Sequence, residues 1–128
     1  MAQLSAGVFG ELMAARFLRD KKYTVITSNY RSAFGEVDVI AEDKQYVVFV
    51  EVKTRSEGAI YAPREAVTKA KQDKIMRTAA LYLRDHPTKK QPRFDVIEIV
   101  TAKGDPRKVV QLDHLMGAYE IEGLHAAF

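Results

Sequence analysis

Residues 35–41, GEVDVIA, and residues 48–55, VFVEVKTR, decide the fold of this chain of 128 residues. Both runs are rich in β-branched side chains, and the polar residues 43–45 lie between them, which is the pattern of a β-hairpin. We therefore predict two paired strands, at about 35–42 and 46–54. The second strand has apolar side chains on both faces, which is typical of a central strand covered on both sides.

The chain before the hairpin is predicted to form a helix at 3–20 and a strand at 22–30. The helix carries a main apolar stripe and a second stripe on its opposite side. The main stripe consists of Leu4, Val8, Leu12, Ala15 and Leu18, and the second of Phe9, Met13 and Phe17. The helix is therefore either covered on both sides or uses one side for a partner.

The chain after the hairpin shows loop, helix and strand patterns in turn. A loop is predicted at 55–67, followed by a helix that begins after Thr68, a suitable N-cap, and ends near Asp85. A right-handed crossover then sets a strand at 93–101 parallel to the second hairpin strand. The remaining predicted elements are an edge strand at 108–112 and a helical tail from His114.

The composition corresponds to one globular domain, predicted to span residues 1–128. The absence of cysteine excludes disulfides, thiolate metal sites and thiol nucleophiles. No apolar run has the length of a membrane span, and the first five residues lack the pattern of a signal peptide, so we expect a cytoplasmic protein without a membrane partner. The net charge of +3 permits a nucleic-acid partner without requiring one.

Glu51 and Lys53 are two residues apart on the second hairpin strand and point to the same side. That side is apolar at Val47 and Phe49, so charges there cost free energy unless they are paired or used. Taken alone, such a pair is more often an internal ion pair, or a strand running out into water, than a functional site.

Asp38 on the preceding strand changes this interpretation. Pairing of residue 42 with residue 47 sets Asp38 opposite Glu51, whereas pairing with residue 45 sets it diagonally. Both registers leave Asp38 on the face of Glu51 and Lys53, and we expect Val37, Val39 and Ala41 on the other face. Neighbouring carboxylates repel each other unless a cation or a proton lies between them. Oxygen ligands of this kind suit Mg²⁺ or Mn²⁺.

Further polar residues fall near the apolar faces of the two predicted helices. Glu11 lies within the main stripe of the first helix, where it is a helix-end irregularity, a salt-bridged core residue or part of the same acidic site. Gln72 and Lys69 lie at the start of the second helix, whose free N–H groups favour a phosphate, although a solvated first turn is the simpler interpretation. The candidate phosphate contacts, which otherwise form a solvated basic surface, are Arg31, Arg55, Arg64, Lys69, Lys71 and Lys74.

Residues 35–41 and 48–55 resemble the YraN family of small bacterial proteins, and the similarity covers about 7–120. The motifs at Gly10-Glu11, Asn29-Tyr30-Arg31, Lys71-Gln72 and Arg93-Phe94-Asp95-Val96 fall where that family's other motifs fall. That family resembles the restriction-endonuclease-like superfamily, especially archaeal Holliday-junction resolvases. The resemblance implies an α/β fold with an αβββαβ core, in which helices flank a mixed central sheet, and Mg²⁺-dependent phosphodiester hydrolysis.

The resemblance also implies roles for individual residues. Asp38 and Glu51 would be metal ligands, Lys53 the catalytic lysine, Glu11 an acid carried by the first helix, and Gln72 a supporting amide. At the end of the first helix this chain has Lys22 where the family usually has glycine.

The sequence therefore leads to a metal-dependent nuclease, with DNA favoured over RNA and with branched or flapped DNA as candidate substrates. Two alternatives stay open at this point. One is a module that binds nucleic acid without cutting it. The other is an interaction protein that uses the second stripe of the first helix, for instance in a homodimer.

Overall fold

The computed structural model describes residues 5–58 and 68–119, which form two helices and a sheet of five strands. The elements are α1 (Ala6–Asp20), β1 (Thr24–Arg31), β2 (Glu36–Glu42), β3 (Tyr46–Ser56), α2 (Lys69–Asp85), β4 (Gln91–Ala102) and β5 (Asp105–Leu115). This order confirms the predicted mixed α/β fold with an αβββαβ core. Neither helix in the described part of the chain is long and apolar enough to cross a membrane.

The strands lie in the sheet in the order in which they occur along the chain. All neighbouring pairs are antiparallel except β3 and β4, which run parallel, as the predicted crossover through α2 requires. Glu42 pairs with Val47, which is the first of the two registers considered for the hairpin. The strand β3 is longer than predicted and reaches Ser56, so the predicted loop begins later, and its residues 59–67 lie outside the described part.

The helix α1 buries Ala15 and Leu18 of the predicted main stripe, but the rest of its contact face differs from the prediction. Val8 and Leu12, assigned to the main stripe, are 43% and 51% exposed, whereas Met13 and Phe17 of the second stripe pack against the core. The reason is that α1 approaches the sheet through its small residues. At Gly10, an added Cβ would lie 2.1 Å from the Thr54 hydroxyl oxygen, so the backbone itself is in contact there. Leu4 lies outside the described residues.

The helix α2 begins and ends as its sequence predicts. The Thr68 hydroxyl accepts a hydrogen bond from the Lys71 backbone N–H at 3.2 Å and so caps the helix, which ends at Asp85 before His86-Pro87. Its buried side chains meet β2, β3 and β4 in one apolar cluster that includes Ile75, Phe49 and Phe94. The other face of the sheet packs against α1.

The predicted helical tail from His114 is wrong at its start, because β5 continues through His114 to Leu115, beside β4. The fully buried carboxylate of Asp95 explains this extension. It accepts hydrogen bonds from the Arg93 guanidinium, from His114 Nε2 at 2.7 Å and from the Gly117 backbone N–H at 2.9 Å. A buried charge needs such donors, and the extended strand supplies one of them, His114, while the turn that follows it supplies the other, Gly117.

Candidate functional site

The candidate site lies where β2 and β3 separate. Their regular pairing ends at Val39 and Val50, one residue before the position at which Asp38 would face Glu51. Instead, Asp38 Oδ2 accepts a hydrogen bond from the backbone N–H of Val52 at 2.8 Å. The alternation of β2 breaks at this point. Val39 packs on the α1 side of the sheet, as expected, but Val37 packs on the α2 side.

Three carboxylates converge at this break. Glu11 from α1 and Glu36 and Asp38 from β2 each offer an oxygen, and the three oxygens lie within 4.8 Å of one another. Burial, together with the neighbouring charges of Glu51 and Glu11, raises the pKa of Asp38 to about 7. Near neutral pH the site therefore holds more negative charge than it can accommodate without a proton or a cation.

Glu51 lies beside this cluster and is engaged by two lysines. Its side chain is only 6% exposed, and Oε1 forms ion pairs with Lys53 Nζ, at 3.0 Å, and with Lys71 Nζ. The structure thus places Asp38 and Glu51 close enough to influence each other electrostatically. Within the described part of the chain, however, the three carboxylates whose oxygens all lie within 4.8 Å of one another are those of Asp38, Glu11 and Glu36.

The two lysines have different protonation tendencies. Burial and the contact with Lys71 lower the pKa of Lys53, whereas the ion pair with Glu51 raises the pKa of Lys71 against the effect of burial. The Glu51 carboxylate therefore holds the Lys71 proton most firmly. Lys53 is the one that gives up a proton more readily than a free lysine does.

Four of these residues, Glu36, Asp38, Glu51 and Lys71, border an open cleft of about 460 Å³ between the sheet and the first turn of α2. Helix N-termini present free N–H groups and a partial positive charge, which favour anions such as phosphate. The cleft is lined by Gly35, Glu36, Asp38, Glu51, Thr68, Ala70, Lys71, Lys74 and Ile75. Acidic groups that suit a metal and basic groups that suit a phosphate thus share one cleft.

Gln72 is placed differently from the other predicted site residues. It lines a neighbouring cavity of about 480 Å³, together with Val96, His114 and Tyr119, and is absent from the lining of the cleft. A supporting role for Gln72 next to Asp38 stays a prediction.

Two of the candidate phosphate contacts, Lys71 and Lys74, line the same cleft. Lys74 is exposed on its wall, Lys69 is exposed in the first turn of α2, and Lys71 is paired with Glu51. Arg31 is bound to Glu36 at 3.1 Å, with a side chain that is 76% exposed. Arg55 is partly buried and follows Lys53 along β3. Arg64 lies outside the described residues.

Two features of the site were missed from the sequence. Glu36 was not named as a candidate ligand, although it precedes Asp38 by two residues in a predicted strand, a spacing that keeps side chains close together. The pairing of Lys71 with Glu51 was also missed. This ion pair depends on how close the first turn of α2 lies to β3. That distance is set by tertiary packing and cannot be predicted from the residues around Lys71 or Glu51.

Comparison with known proteins identifies relatives over most of the chain. Residues 10–99 match the model of the uncharacterised protein family UPF0102. A UPF0102 protein of Syntrophotalea carbinolica is 41% identical over 122 residues, which cover 94% of this chain and 96% of the relative. A UPF0102 protein of Clostridium botulinum is 46% identical over 97 residues, covering 73% and 78%. The chain therefore belongs to the UPF0102 family, also called the YraN family.

Proposed function

We propose that this protein is a metal-dependent nuclease that hydrolyses phosphodiester bonds of DNA, with branched or flapped DNA as the preferred substrates and the cytoplasm as its location. The observation that carries the proposal is the convergence of Glu11, Glu36 and Asp38 within 4.8 Å, with the pKa of Asp38 raised to about 7. A cluster of acids that is unfavourable without a cation, set in a cleft with basic walls, matches the needs of a phosphodiesterase.

The donor set fits Mg²⁺ or Mn²⁺. All three groups offer carboxylate oxygens and all are partly exposed, so a hard cation would keep several waters there. Glu11, Glu36 and Asp38 would hold the ion, with Glu51 as a further ligand if it exchanges a lysine for the metal. When bound, such an ion polarises the phosphate and lowers the pKa of a coordinated water.

The basic residues of the chain account for the rest of the proposed chemistry. Lys53 orients the attacking water or neutralises charge on the phosphate, and its lowered pKa makes it the more mobile proton carrier of the two lysines. Lys71 holds Glu51 in place. The first turn of α2, with Lys69 and Lys74 beside it, binds the phosphate next to the bond that is cut.

The test is a cleavage assay on four-way junction, flap and linear DNA and on RNA of matched sequence, with Mg²⁺, with Mn²⁺ and with a chelator. Asp38→Asn and Glu51→Gln should each abolish metal-dependent cleavage, and Lys53→Met should reduce it at least a hundredfold (on the order of the loss for a general acid–base or charge-stabilising group). Glu57→Gln, an exposed acid beyond the site, is the matched control. Full cleavage by Asp38→Asn would rule out the mechanism.

A second candidate function is a module that binds nucleic acid without cutting it. The observation that favours it is the occupation of Glu51 by two ammonium groups, which leaves this carboxylate without a free role as a metal ligand. This alternative predicts salt-sensitive DNA binding, no heat on addition of Mg²⁺, and no effect of Asp38→Asn on affinity.

An interaction surface formed by Phe9, Met13 and Phe17 receives no support. All three side chains are partly buried, and Met13 and Phe17 pack against the core. Val8 and Leu12 of the same helix are exposed, so a homodimer stays a proposal, which the mass in solution tests.

A further inference from the structure

An exposed aromatic residue lies in the turn that leads into the candidate site. Phe34 is 44% exposed, in the turn between β1 and β2, and the next two residues, Gly35 and Glu36, line the cleft. A large apolar side chain at a loop tip is less favourable in water than in contact with a ligand or a partner. The position of Phe34 at the rim of the cleft suggests what that ligand is.

The turn is held firmly against α2. The Ser32 N–H donates to the Gly35 carbonyl at 2.8 Å, and the Phe34 N–H donates to the Ser32 hydroxyl oxygen at 3.0 Å. The Ser32 hydroxyl also lies 2.8 Å from the hydroxyl of Thr78, which is fully buried in α2. At Gly35, an added Cβ would lie 3.3 Å from the Cβ of Lys74, so the turn packs closely on the helix. Phe34 is thus presented by a loop that is hydrogen-bonded internally and to α2.

A guanidinium group lies near the ring, and two further basic residues lie beside the turn. The guanidinium of Arg77 lies 5.4 Å from the centre of the Phe34 ring, Lys74 is on the cleft wall, and the Arg31 side chain is 76% exposed. One side of the ring therefore faces a cation, while almost half of the side chain remains open to solvent. A flat ligand attached to a negatively charged backbone complements this combination.

We propose that Phe34 is a stacking platform for an unpaired nucleobase, with Arg77, Lys74 and Arg31 contacting the phosphates of the same strand. The inference rests on the proposed function and names its substrate class, namely strands with unpaired bases next to the bond that is cut. Bases within a duplex are already stacked on each other, so Phe34 gains a contact only where bases are unpaired. The platform thus makes the site prefer frayed, flapped or branched DNA over a blunt duplex.

The protein contains no tryptophan, so a single introduced tryptophan reports on its own surroundings. Phe34→Trp should lose fluorescence when single-stranded oligothymidylate or a forked duplex is added in a chelating buffer, and should change little with a blunt duplex. Val110→Trp, at a residue that is also 44% exposed but lies on β5, is the matched control and should not respond. Unchanged emission of Phe34→Trp at saturating single strand would overturn the proposal.

The affinity for DNA tests the stacking platform independently of fluorescence. Phe34→Ala should weaken binding of single-stranded DNA about tenfold in the chelating buffer and leave blunt-duplex binding nearly unchanged, as expected for the loss of one base stack. Val110→Ala should bind as the wild type does. Equal affinity of Phe34→Ala and wild type for single strands contradicts the platform, as does a Phe34-dependent dimer that forms without DNA.

The outcome also separates this inference from the proposed function. Fluorescence loss without any metal-dependent cleavage would support the platform and overturn the nuclease. Cleavage by wild type with full single-strand affinity in Phe34→Ala would support the nuclease and overturn the platform. Wild-type protein that binds none of the three DNA forms would overturn both.

Discussion

The carboxylate of Asp38 accepts a hydrogen bond from the backbone N–H of Val52 at 2.8 Å, just beyond the last regular pair of β2 and β3. The contact replaces a strand-to-strand hydrogen bond with one from a side chain, and it turns Asp38 toward Glu11 and Glu36. The regular pairing of the hairpin therefore ends at the residue where the acidic cluster begins, Asp38. A strictly regular hairpin would have kept Asp38 against Glu51 alone.

Asp38→Asn should stabilise the metal-free protein at pH 8. The pKa of Asp38 is raised from 3.8 to about 7, so the folded state binds the proton more tightly than the unfolded state does. The protonated Asp38 carboxyl makes its full contribution to the stability of the folded state below pH 3.8. This contribution is lost as the pH rises through about 7. Asparagine lacks the charge, so we expect a gain of about 1–3 kcal/mol at pH 8 and almost none at pH 4.

Urea unfolding of the metal-free protein at both pH values measures this effect. Asp85→Asn, at an exposed ion pair with Arg84, is the control and should change the stability by less than about 0.5 kcal/mol. A loss of stability in Asp38→Asn at pH 8 would mean that Asp38 serves a structural ion pair, and the interpretation as an acidic cation site would have to be abandoned.

Glu36→Gln should weaken metal binding, and so should Glu11→Gln. Both side chains place an oxygen within 4.8 Å of Asp38 and of each other, so each loss removes a negative ligand from the same centre. We expect a drop in Mn²⁺ affinity of about tenfold or more for each variant, on the scale of losses seen when groups around a metal are changed. Calorimetric titration measures it, with Glu57→Gln as the control. If both variants bound Mn²⁺ with wild-type affinity, Glu36 and Glu11 would not be ligands, and Asp38 and Glu51 would remain as the candidate ligands.

Much of the fold was predictable because it is encoded locally. Thr68 caps α2 as its residue type suggests, and the observed register of Glu42 with Val47 is one of the two that the short polar turn and the alternating side chains allowed. The start of the tail, at His114, was predicted wrongly because its extended form depends on the buried Asp95, which is distant in sequence. The helix-favouring composition of the tail gives no information about such a long-range contact.

The site was predictable only in part, for a related reason. Spacing along β3 put Glu51 and Lys53 on one face, and their ion pair is present. The break in β2 at Asp38, which brings Glu36 and Glu11 together, arises because the side chain competes for the N–H of Val52. An alternating pattern assumes unbroken strand pairing. It therefore identifies Asp38 correctly as a site residue but predicts the wrong neighbours for its side chain.

Lys22→Gly should stabilise the protein. Lys22 has a φ of 73°, in the left-handed region, and its N–H donates to the Arg19 carbonyl at 3.0 Å. The Tyr23 N–H donates to the Leu18 carbonyl at 3.0 Å, which completes a Schellman motif at the end of α1. Glycine adopts this backbone without steric cost, so we expect a gain of about 0.5–1 kcal/mol in unfolding free energy.

Thermal and urea unfolding at pH 7 measure the effect of Lys22→Gly. Arg19→Gly, in the last turn of α1, is the matched control and should cost about 1 kcal/mol, because glycine there only adds flexibility to the unfolded chain. Destabilisation by Lys22→Gly would mean that the lysine side chain contributes more than its backbone strain costs.

Gly10→Ala and Gly7→Ala should act in opposite directions, although both replace a glycine in α1 with the best helix former. At Gly10, the new methyl would lie 2.1 Å from the Thr54 hydroxyl oxygen, so α1 must move away from β3, at a cost of about 1–3 kcal/mol. At Gly7, nothing lies within 4 Å of the new methyl, and the helix should gain about 0.5–1 kcal/mol.

The same pair links the fold to the site. Glu11 follows Gly10 directly, so displacement of α1 should carry Glu11 away from Asp38 and weaken Mn²⁺ binding in Gly10→Ala but not in Gly7→Ala. The double variant Gly10→Ala/Thr54→Ala removes the clashing hydroxyl and should recover part of both losses. If Gly10→Ala lost stability while keeping full Mn²⁺ affinity, the close approach of α1 would serve packing alone, and Glu11 would not belong to the metal centre.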